Sequence, residues 1–472
     1  MAIGVSMTPW QHWQQRHPER VALCLEEGTL TWRELNHHVQ QYANAIVESG
    51  LKQSDVLTLV GKNHPQTLFW LLGAMQLGVV CALTMPQPAA QLRSKLSALY
   101  RDEQRANVWL APSAGLTLDE LGELGEVNAL LLPASPSTHA GSAYHRDNLA
   151  TLIFTSGSTG IPKAVAHTHA QHLASAQGLL AEFKFQSDDT WLLSLPLYHV
   201  SGLAIIYRWL AAGACLKIGG GQLAQDIEGV THASLVPTQL KRLLDSGQKL
   251  TLTHVLLGGS HIPLTLAQQA AALGIETWLG YGMTEAASTV TAKQVDGQAG
   301  AGHVIAHRAV RVEDQRIYIG GDTLASGYYR QGLLHPFTDD QGWFDSKDLG
   351  YFDQNQLVII GRADNLFISG GENIHCEEIE SVLNRHPHVQ LAMVVPVEDD
   401  EFGARPVAVV QSSAPFSDEL GNEWCEGQLE KFKWPVAYFD MPDALTESGI
   451  KVSRQALKQW LANHQTRFRV MS

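Results

Sequence analysis

Cysteine is scarce in this 472-residue chain, with five in all: Cys24, Cys81, Cys215, Cys376 and Cys425. They are scattered and form no Cys-x-x-Cys pair. That spacing predicts neither a zinc site nor a disulfide framework, and the five are expected as small apolar residues in a reducing compartment. Charged residues are few as well, at 17%, and basic ones are the minority: 33 Lys+Arg against 47 Asp+Glu, a formal net charge of −14. A nucleic-acid partner calls for a basic face, so this balance argues against one. It would also oppose the capture of an anionic ligand by the bulk field. No apolar run reaches the ~18–20 residues of a membrane span. The longest, 69–83, has 15 residues and is interrupted by Gln76 and two glycines. The opening MAIGVSMTPWQHW lacks a basic stretch followed by an apolar one, so no secretory signal is expected. These absences predict a soluble, cytoplasmic protein with no stable membrane association, and they leave homo-oligomerisation open.

What is present is a globular composition, 45% apolar, and not a disordered one. At about 150 residues per domain the length predicts about two to four domains, or one large domain with an appendage. Thr31 and Glu34 form a capping box ahead of a helix over 32–49 that ends at Gly50. A buried strand at Val56–Val60, a helix over 65–77 and a strand over 79–83 follow. The same cadence returns through strands at 233–237, 255–257 and 276–279, and it predicts parallel sheets covered by helices. Residues 111–148 read as a loose connection before a strong strand, Leu149–Thr155. From about 310, short β runs at 310–312, 316–319 and 357–360 mark a small β-rich subdomain. After Arg362 the texture becomes α+β: helix 377–384, strands 391–396 and 407–411, and a last helix over 453–464. The expected fold is α/β. Residues 1–363 form a large region of layered, mostly parallel sheets with helices plus the β-rich subdomain, and residues 364–472 form a small, mobile α+β domain.

The densest chemistry lies in Thr155-Ser156-Gly157-Ser158-Thr159-Gly160-Ile161-Pro162-Lys163, directly after the strong strand. Four hydroxyls, flexible glycines and a lysine suit a polyphosphate cradle in which backbone N–H groups, hydroxyls and one ammonium converge on an anion. The ordinary alternative for such a cluster is a surface turn. The Walker A pattern is absent. His199, in Leu195-Pro196-Leu197-Tyr198-His199-Val200-Ser201-Gly202, would by itself read as a core or capping residue. Arg208 sits in an apolar helical stretch, where a buried cation needs an anionic partner. It either snorkels to the surface or clamps a substrate carboxylate. Leu257-Gly258-Gly259-Ser260 and Leu279-Gly280-Tyr281-Gly282-Met283-Thr284-Glu285 each follow a predicted strand end, where α/β sheets place ligands. Tyr281 offers a face for adenine, Thr284 a hydroxyl for phosphate, and Glu285 a hard oxygen ligand for Mg²⁺.

The 155–163 segment resembles the signature phosphate loop of the adenylate-forming superfamily: acyl-CoA synthetases, luciferases and nonribosomal-peptide adenylation domains. Further motifs follow in the superfamily's order over residues 30–454, with Ala164 where Gly is usual. The resemblance implies that Thr155, Ser156, Gly157, Ser158, Thr159, Gly160, Lys163, Gly259, Ser260, Tyr281, Gly282 and Thr284 contact ATP or AMP. His199, Ser201, Arg208 and Gly258 would line the acyl pocket, with His199 gating it. Gly342-Trp343-Phe344-Asp345-Ser346-Lys347-Asp348 is similar to the motif whose last Asp binds both ribose hydroxyls, with Lys347 in place of Gly. Asp348 and Arg362 would share that role, an interdomain ion pair being the structural alternative. Asp364 corresponds to the hinge of the C-terminal domain, and Gly370 and Gly371 to the loop past which pantetheine threads. Thr446-Glu447-Ser448-Gly449-Ile450-Lys451-Val452-Ser453-Arg454 resembles the C-terminal lysine motif with one extra residue, Ile450, and selects Lys451 as catalytic.

That spacing, with Arg208 and the 365–374 segment, is similar to one branch of the superfamily, which activates 2-succinylbenzoate for menaquinone synthesis. The resemblance implies ATP, Mg²⁺ and coenzyme A as cofactor and co-substrates. Other aryl- or acyl-CoA ligases of the superfamily are the nearest alternative. A nucleotide-binding protein without ligase chemistry is the alternative of a different class. Charge is distributed unevenly along the tail: 365–430 carries a net −11 and 431–472, which holds Lys451, a net +4.

Overall fold

Thr31 begins the first long helix as its capping box requires. Its Oγ1 accepts from the Glu34 N–H at 3.2 Å, and the Thr31 N–H donates to Glu34 Oε2 at 2.8 Å. The helix runs Trp32–Glu48, and Gly50 beyond it takes φ +83°. The computed structural model describes residues 6–117, 119–120, 127–132, 140–155, 162–258, 262, 264–298, 300–399, 401–446 and 452–462.

Two large sheets organise the N-terminal region. The eight-stranded sheet has a parallel centre of Leu149–Thr155, Val80–Thr84, Val56–Val60, Ala106–Leu110 and Val127–Ala129, in that spatial order. Antiparallel strands Lys163–Thr168, Gly327–Arg330 and Leu333–His335 extend it on one side. In the nine-stranded sheet Glu276–Met283, His254–Leu257, His232–Leu235, Thr190–Leu192, Cys215–Lys217 and Val21–Leu25 are parallel neighbours. Its ends are antiparallel: Ser288–Gln294 and His303–Val304 on one side, Gly28–Thr31 on the other. The expectation of mostly parallel layered sheets holds, and among its described residues the connection over 111–148 contains one short strand, Val127–Ala129.

One apolar core joins the two sheets. Leu57, Leu83 and Ile153 of the first and Leu23, Trp191 and Leu256 of the second share it with helices Trp32–Glu48, Pro65–Gln76 and Val200–Ala212. Pro65–Gln76 is buried nearly all round, as a helix between two sheets must be. Trp32 stacks on Trp209, ring centroids 5.3 Å apart.

A four-stranded antiparallel sheet follows, of Ala309–Glu313, Arg316–Gly320, Phe344–Asp353 and Gln356–Arg362. The last part of the chain has its own two cores. It contains the hairpin Leu366–Ser369/Glu372–His375, helix Cys376–Leu383, a three-stranded sheet of Val389–Asp399, Gly403–Ser412 and Tyr438–Asp440, and helix Arg454–Ala462. Helix Asp418–Cys425 was not anticipated from sequence. All five cysteines are free, four of them buried and Cys24 partly so. No described helix is long and apolar enough to cross a membrane.

Three histidines are enclosed beside the core. His167 and His169 belong to Lys163–Thr168 and the start of helix His169–Leu180, and His172 follows one turn later. His169 Nδ1 meets the Tyr207 hydroxyl at 2.9 Å, and His172 Nε2 meets Thr151 Oγ1 at 2.7 Å. Burial holds His167 down to about 4 and His169 down to about 3. An unfolded chain takes up protons on these rings near pH 6.5, while the folded protein resists until those lower values. The unfolded state therefore binds more protons as pH falls below about 6.5, and each ring withdraws up to about 1.4 kcal/mol of stability per pH unit over that window. Urea unfolding at about pH 7 and about pH 5 should show this loss, and His169→Gln should flatten it. An unaltered pH slope in that variant would refute the assignment.

Candidate functional site

Leu149–Thr155 and Lys163–Thr168 pair antiparallel with Thr155 opposite Lys163. The carboxyl end of Leu149–Thr155 lies on the side where its parallel neighbour Val80–Thr84 also ends. Ser156, Gly157, Ser158, Thr159 and Gly160 lie outside the described residues. The Lys163 ammonium sits 5.2 Å from the centre of the Tyr328 ring. A second cation beside this strand end was not read from sequence. Lys95 Nζ donates to Thr84 Oγ1 at 2.6 Å and lies 5.0 Å from the Phe154 ring centre. Burial pulls its pKa down to about 8. Its helix, Ala89–Leu99, gives no periodic hint that a lysine turns inward.

The 279–285 motif does not follow the strand, as its sequence suggests; it is largely inside it. Glu276–Met283 continues past the parallel sheet and pairs antiparallel with Ser288–Gln294, with an irregularity between Tyr281 and Gly282. The crowding explains the glycine: a Cβ on Gly282 would lie 1.8 Å from the Ser288 carbonyl oxygen. The chain then turns sharply through Thr284–Ala286 and through Ala287 and Ser288, both at positive φ (50° and 93°). Non-glycine residues in that region store strain, and such strain gathers at functional sites. His167 Nε2 donates to the Thr284 carbonyl at 2.8 Å, and the Ala325 N–H donates to the Glu285 carbonyl at 2.8 Å. Gly258 is exposed at the end of His254–Leu257; Gly259 and Ser260 lie outside the described residues.

The donor set fits Mg²⁺ as a partly protein-held ion. Glu285 Oε1 accepts from the Tyr328 hydroxyl at 3.2 Å, and among the described residues Oε2 accepts no hydrogen bond. No group of three or more His, Cys, Asp or Glu among the described residues could cage a metal. One carboxylate with the remaining ligands from phosphate and water is the usual Mg²⁺ arrangement at nucleotides.

The expected ribose residues converge. Asp348 and Arg362 face each other across Phe344–Asp353 and Gln356–Arg362. Arg362 Nη1 lies 3.2 Å from Asp348 Oδ1, and the Tyr281 hydroxyl donates to Asp348 Oδ2 at 2.5 Å. Their ion pair is thus a cross-strand contact within one sheet, not an interdomain one. Arg362 Nε also reaches Asp364 Oδ1 at 2.9 Å. Burial opposes the Arg362 charge, but Asp364 and Asp348 outweigh it and hold its pKa above the ordinary value. Burial, reinforced by the Asp348 charge, pushes the Tyr281 phenol up, so it remains a donor. The 342–348 motif proves to enter a strand. Lys347 adopts φ +61°, the left-handed conformation that a glycine takes without cost, and its N–H donates to Asp345 Oδ1 at 2.9 Å.

His199 is the N-cap of helix Val200–Ala212, and its ring is edge-on to Tyr198 at 4.9 Å. Ser201 is in the first turn of the same helix and half-buried. Arg208, further along it, is 1% exposed, which rules out snorkelling. Its Nη2 donates to Thr289 Oγ1 at 3.3 Å and its guanidinium lies 5.3 Å from the Trp191 ring centre. Its Nε has no hydrogen-bond partner, and no carboxylate pairs with it among the described residues. Burial and then the nearby Arg308 charge both depress its pKa. This is an enclosed cation that one hydroxyl and one aromatic ring contact and that no carboxylate among the described residues neutralises.

Gly370 and Gly371 form the two-residue connection of a hairpin, with φ +58° and +90°. Positive φ at both positions is what a type I′ turn demands, so the turn alone accounts for both glycines. Lys451 lies outside the described residues. Arg454, three positions on, is tied down by Glu380 Oε2 at 3.2 Å, by Glu377 Oε1 at 3.3 Å and by the Val394 carbonyl.

Residues 10–329 match the AMP-binding enzyme family and residues 378–464 the AMP-binding enzyme C-terminal domain. The chain belongs to the AMP-binding enzyme family. More particularly, it is 43% identical over 457 residues to the 2-succinylbenzoate–CoA ligase of Salmonella typhimurium, spanning 97% of this chain and 98% of that one. A variant of E. coli MenE solved with bound OSB-AMS superposes with a TM-score of 0.88 at 40% identity, covering 98% of this chain and 99% of that one. The o-succinylbenzoate coenzyme A synthetase of Bacillus subtilis, solved with ATP and magnesium ion, gives 0.80 at 26% identity, covering 92% and 95%.

If Arg208 is held for a ligand and not for the fold, Arg208→Met should leave the ligand-free protein as stable as the native chain, or more stable by about 1 kcal/mol or more. Denaturant unfolding measures this. A loss of about 2 kcal/mol or more would make the arginine structural.

Proposed function

We propose that this chain is an AMP-forming acid–thiol ligase that joins 2-succinylbenzoate to coenzyme A in menaquinone synthesis. The observation that carries the substrate assignment is Arg208, a buried guanidinium with no carboxylate partner among the described residues, on the helix that His199 caps. A dicarboxylate can give one carboxylate to Arg208 through two parallel hydrogen bonds and keep the other for reaction. Relatives bearing that ligase name, and a solved neighbour with ATP and magnesium ion, support the reading.

In the first half-reaction an oxygen of the aliphatic carboxylate attacks the α-phosphorus of ATP. The bond to the β-phosphate bridging oxygen breaks, and pyrophosphate leaves. Bound Mg²⁺ would neutralise phosphate charge, with Glu285 as its protein ligand. The protein's own work is positioning and electrostatics. The 155–163 loop and Lys163 hold the β- and γ-phosphates, Thr284 meets phosphate, Tyr281 faces adenine, and Asp348 with Arg362 fixes the ribose. His199, Ser201 and Gly258 line the acid's path, Gly259 and Ser260 the nucleotide's, and Lys451 stabilises charge between carboxylate and α-phosphate.

In the second half-reaction the coenzyme A sulfur attacks the acyl carbon. The acyl–phosphate C–O bond breaks, AMP leaves, and the thiol proton passes to solvent. We infer that residues 364–472 turn about Asp364 between the halves, withdrawing Lys451 and presenting the Gly370–Gly371 turn to pantetheine; such hinge motions take microseconds to milliseconds. ATP and coenzyme A as co-substrates make the cytoplasm the working compartment.

Thioester formation dependent on ATP and coenzyme A, with 2-succinylbenzoate beside benzoate and fatty acids, tests the assignment. Preference for a monocarboxylate would move the chain to another acyl-CoA ligase group, and ATP binding without substrate-dependent pyrophosphate exchange would remove the ligase activity. Lys451→Ala should cut adenylate formation by about 100-fold or more yet spare thioester formation from supplied acyl-adenylate. Equal losses in both halves would contradict its role. Arg208→Gln should raise the KM for the dicarboxylate about tenfold or more with little change for ATP.

A further inference from the structure

We propose that Tyr328 is a positioning residue for the metal–polyphosphate end of ATP, holding Glu285 through its hydroxyl and Lys163 through its ring. This rests on the ligase reading above, which gives Glu285 and Lys163 their ligands, and it adds a residue that none of the sequence motifs contains. Glu285 and Lys163 are 122 positions apart and belong to segments of different sheets. One side chain touches both. Strand Gly327–Arg330 pairs antiparallel with Lys163–Thr168, with Tyr328 opposite Val165. Side chains two residues apart on a strand share a face, so Lys163 falls on the face that Tyr328 covers. Its ammonium lies 5.2 Å from the ring centre, within reach of a cation–π contact. The phenolic oxygen is 3.2 Å from Glu285 Oε1. Burial, then the Glu285 charge, hold that phenol above its ordinary pKa, which keeps it a proton donor. The ring packs against Phe337 at 5.1 Å, itself edge-on to Phe344 at 4.7 Å.

The physical consequence is specific. A carboxylate that accepts a hydrogen bond on one oxygen loses rotational freedom and presents the other in a fixed direction. Such partners behind a metal ligand typically change metal affinity by about 10–100-fold. The ring serves a separate purpose, holding the Lys163 ammonium beside Glu285's partner hydroxyl. Removing the hydroxyl should therefore affect the metal-dependent part of nucleotide binding, and removing the ring should also affect the metal-independent part.

Titration calorimetry of ATP binding to the full chain, in Mg²⁺ and in EDTA, separates the two. Tyr328→Phe should keep the wild-type melting temperature and the wild-type affinity in EDTA, but lose about tenfold of the gain that Mg²⁺ confers. Tyr328→Leu should lose that gain and also bind several-fold more weakly in EDTA. Phe337→Leu loosens the packing without touching Glu285 or Lys163, and should retain the full Mg²⁺ gain. Mn²⁺ in place of Mg²⁺, read by electron paramagnetic resonance, should show the same weakening in Tyr328→Phe. A Phe variant with the full metal gain, or one equally weakened in both media, overturns the role of Tyr328 while leaving the ligase reading in place. A wild-type protein that binds no ATP in either medium overturns both.

Discussion

The turn after Met283 runs along a seam between the two large sheets, and a backbone carbonyl withdrawn from water there must find a donor. Three carbonyls do so in succession: Thr284 takes the His167 imidazole, Glu285 the Ala325 N–H, and Ala287 the Ser175 hydroxyl. All three donors come from segments on or beside the eight-stranded sheet, whereas the turn belongs to the nine-stranded one. These bonds fix the turn that carries Thr284 and Glu285 against strand Lys163–Thr168 and its neighbours. The positive φ of Ala287 and Ser288 is tolerated because the surrounding bonds over-determine that turn. The shared apolar core holds the two sheets together, and this seam adds directional bonds that set the register of the turn against the eight-stranded sheet.

The same logic resolves the conflict between an acidic protein and anionic ligands. The net charge of −14 acts at long range through screening salt, while the site acts at contact distance through cations set in low-dielectric surroundings. Arg208, Arg308 and Lys95 are all largely withdrawn from water, and burial depresses the pKa of each. Arg362 is the counterexample: its flanking carboxylates, Asp364 and Asp348, keep it firmly charged. Arg308 donates to the Ala306 and Ser175 carbonyls and to Ser175 Oγ, and Lys95 to Thr84 Oγ1, whereas Arg208 makes a single hydrogen bond among the described residues, to Thr289 Oγ1.

Much of this arrangement was legible from local chemistry. The Thr31–Glu34 capping box, the buried run Val56–Val60 and the strand Leu149–Thr155 each depend on residues within a few positions, and each stands where the pattern placed it. The convergence of Tyr281, Asp348 and Arg362 was legible only through family resemblance, since no periodicity links residues 67 and 14 positions apart. Local reasoning failed where a long-range pairing overrode it. Gly280-Tyr281-Gly282 reads as a turn, yet pairing with Ser288–Gln294 carries it into a strand. Lys347 occupies a glycine conformation that no lysine propensity predicts. Gly370 and Gly371 show the opposite problem, since a hairpin turn explains them as fully as a ligand tunnel does. Tyr328 and Lys95 left no signal because their importance lies in what other segments bring to them.

The solitude of Arg208 has a consequence for selectivity. Folding withdraws it from bulk water, so on the proposed reading a carboxylate that binds there gains attraction without having to bury the arginine itself. On the same reading, an acid lacking the second carboxylate gains nothing from the arginine, which keeps only its contacts with Thr289 and Trp191. Discrimination of this kind needs no clash and no gate. On the proposed reading it is stored in the folded protein as a buried charge without a carboxylate among the described residues, and the acid that supplies one is also the one that most stabilises the fold.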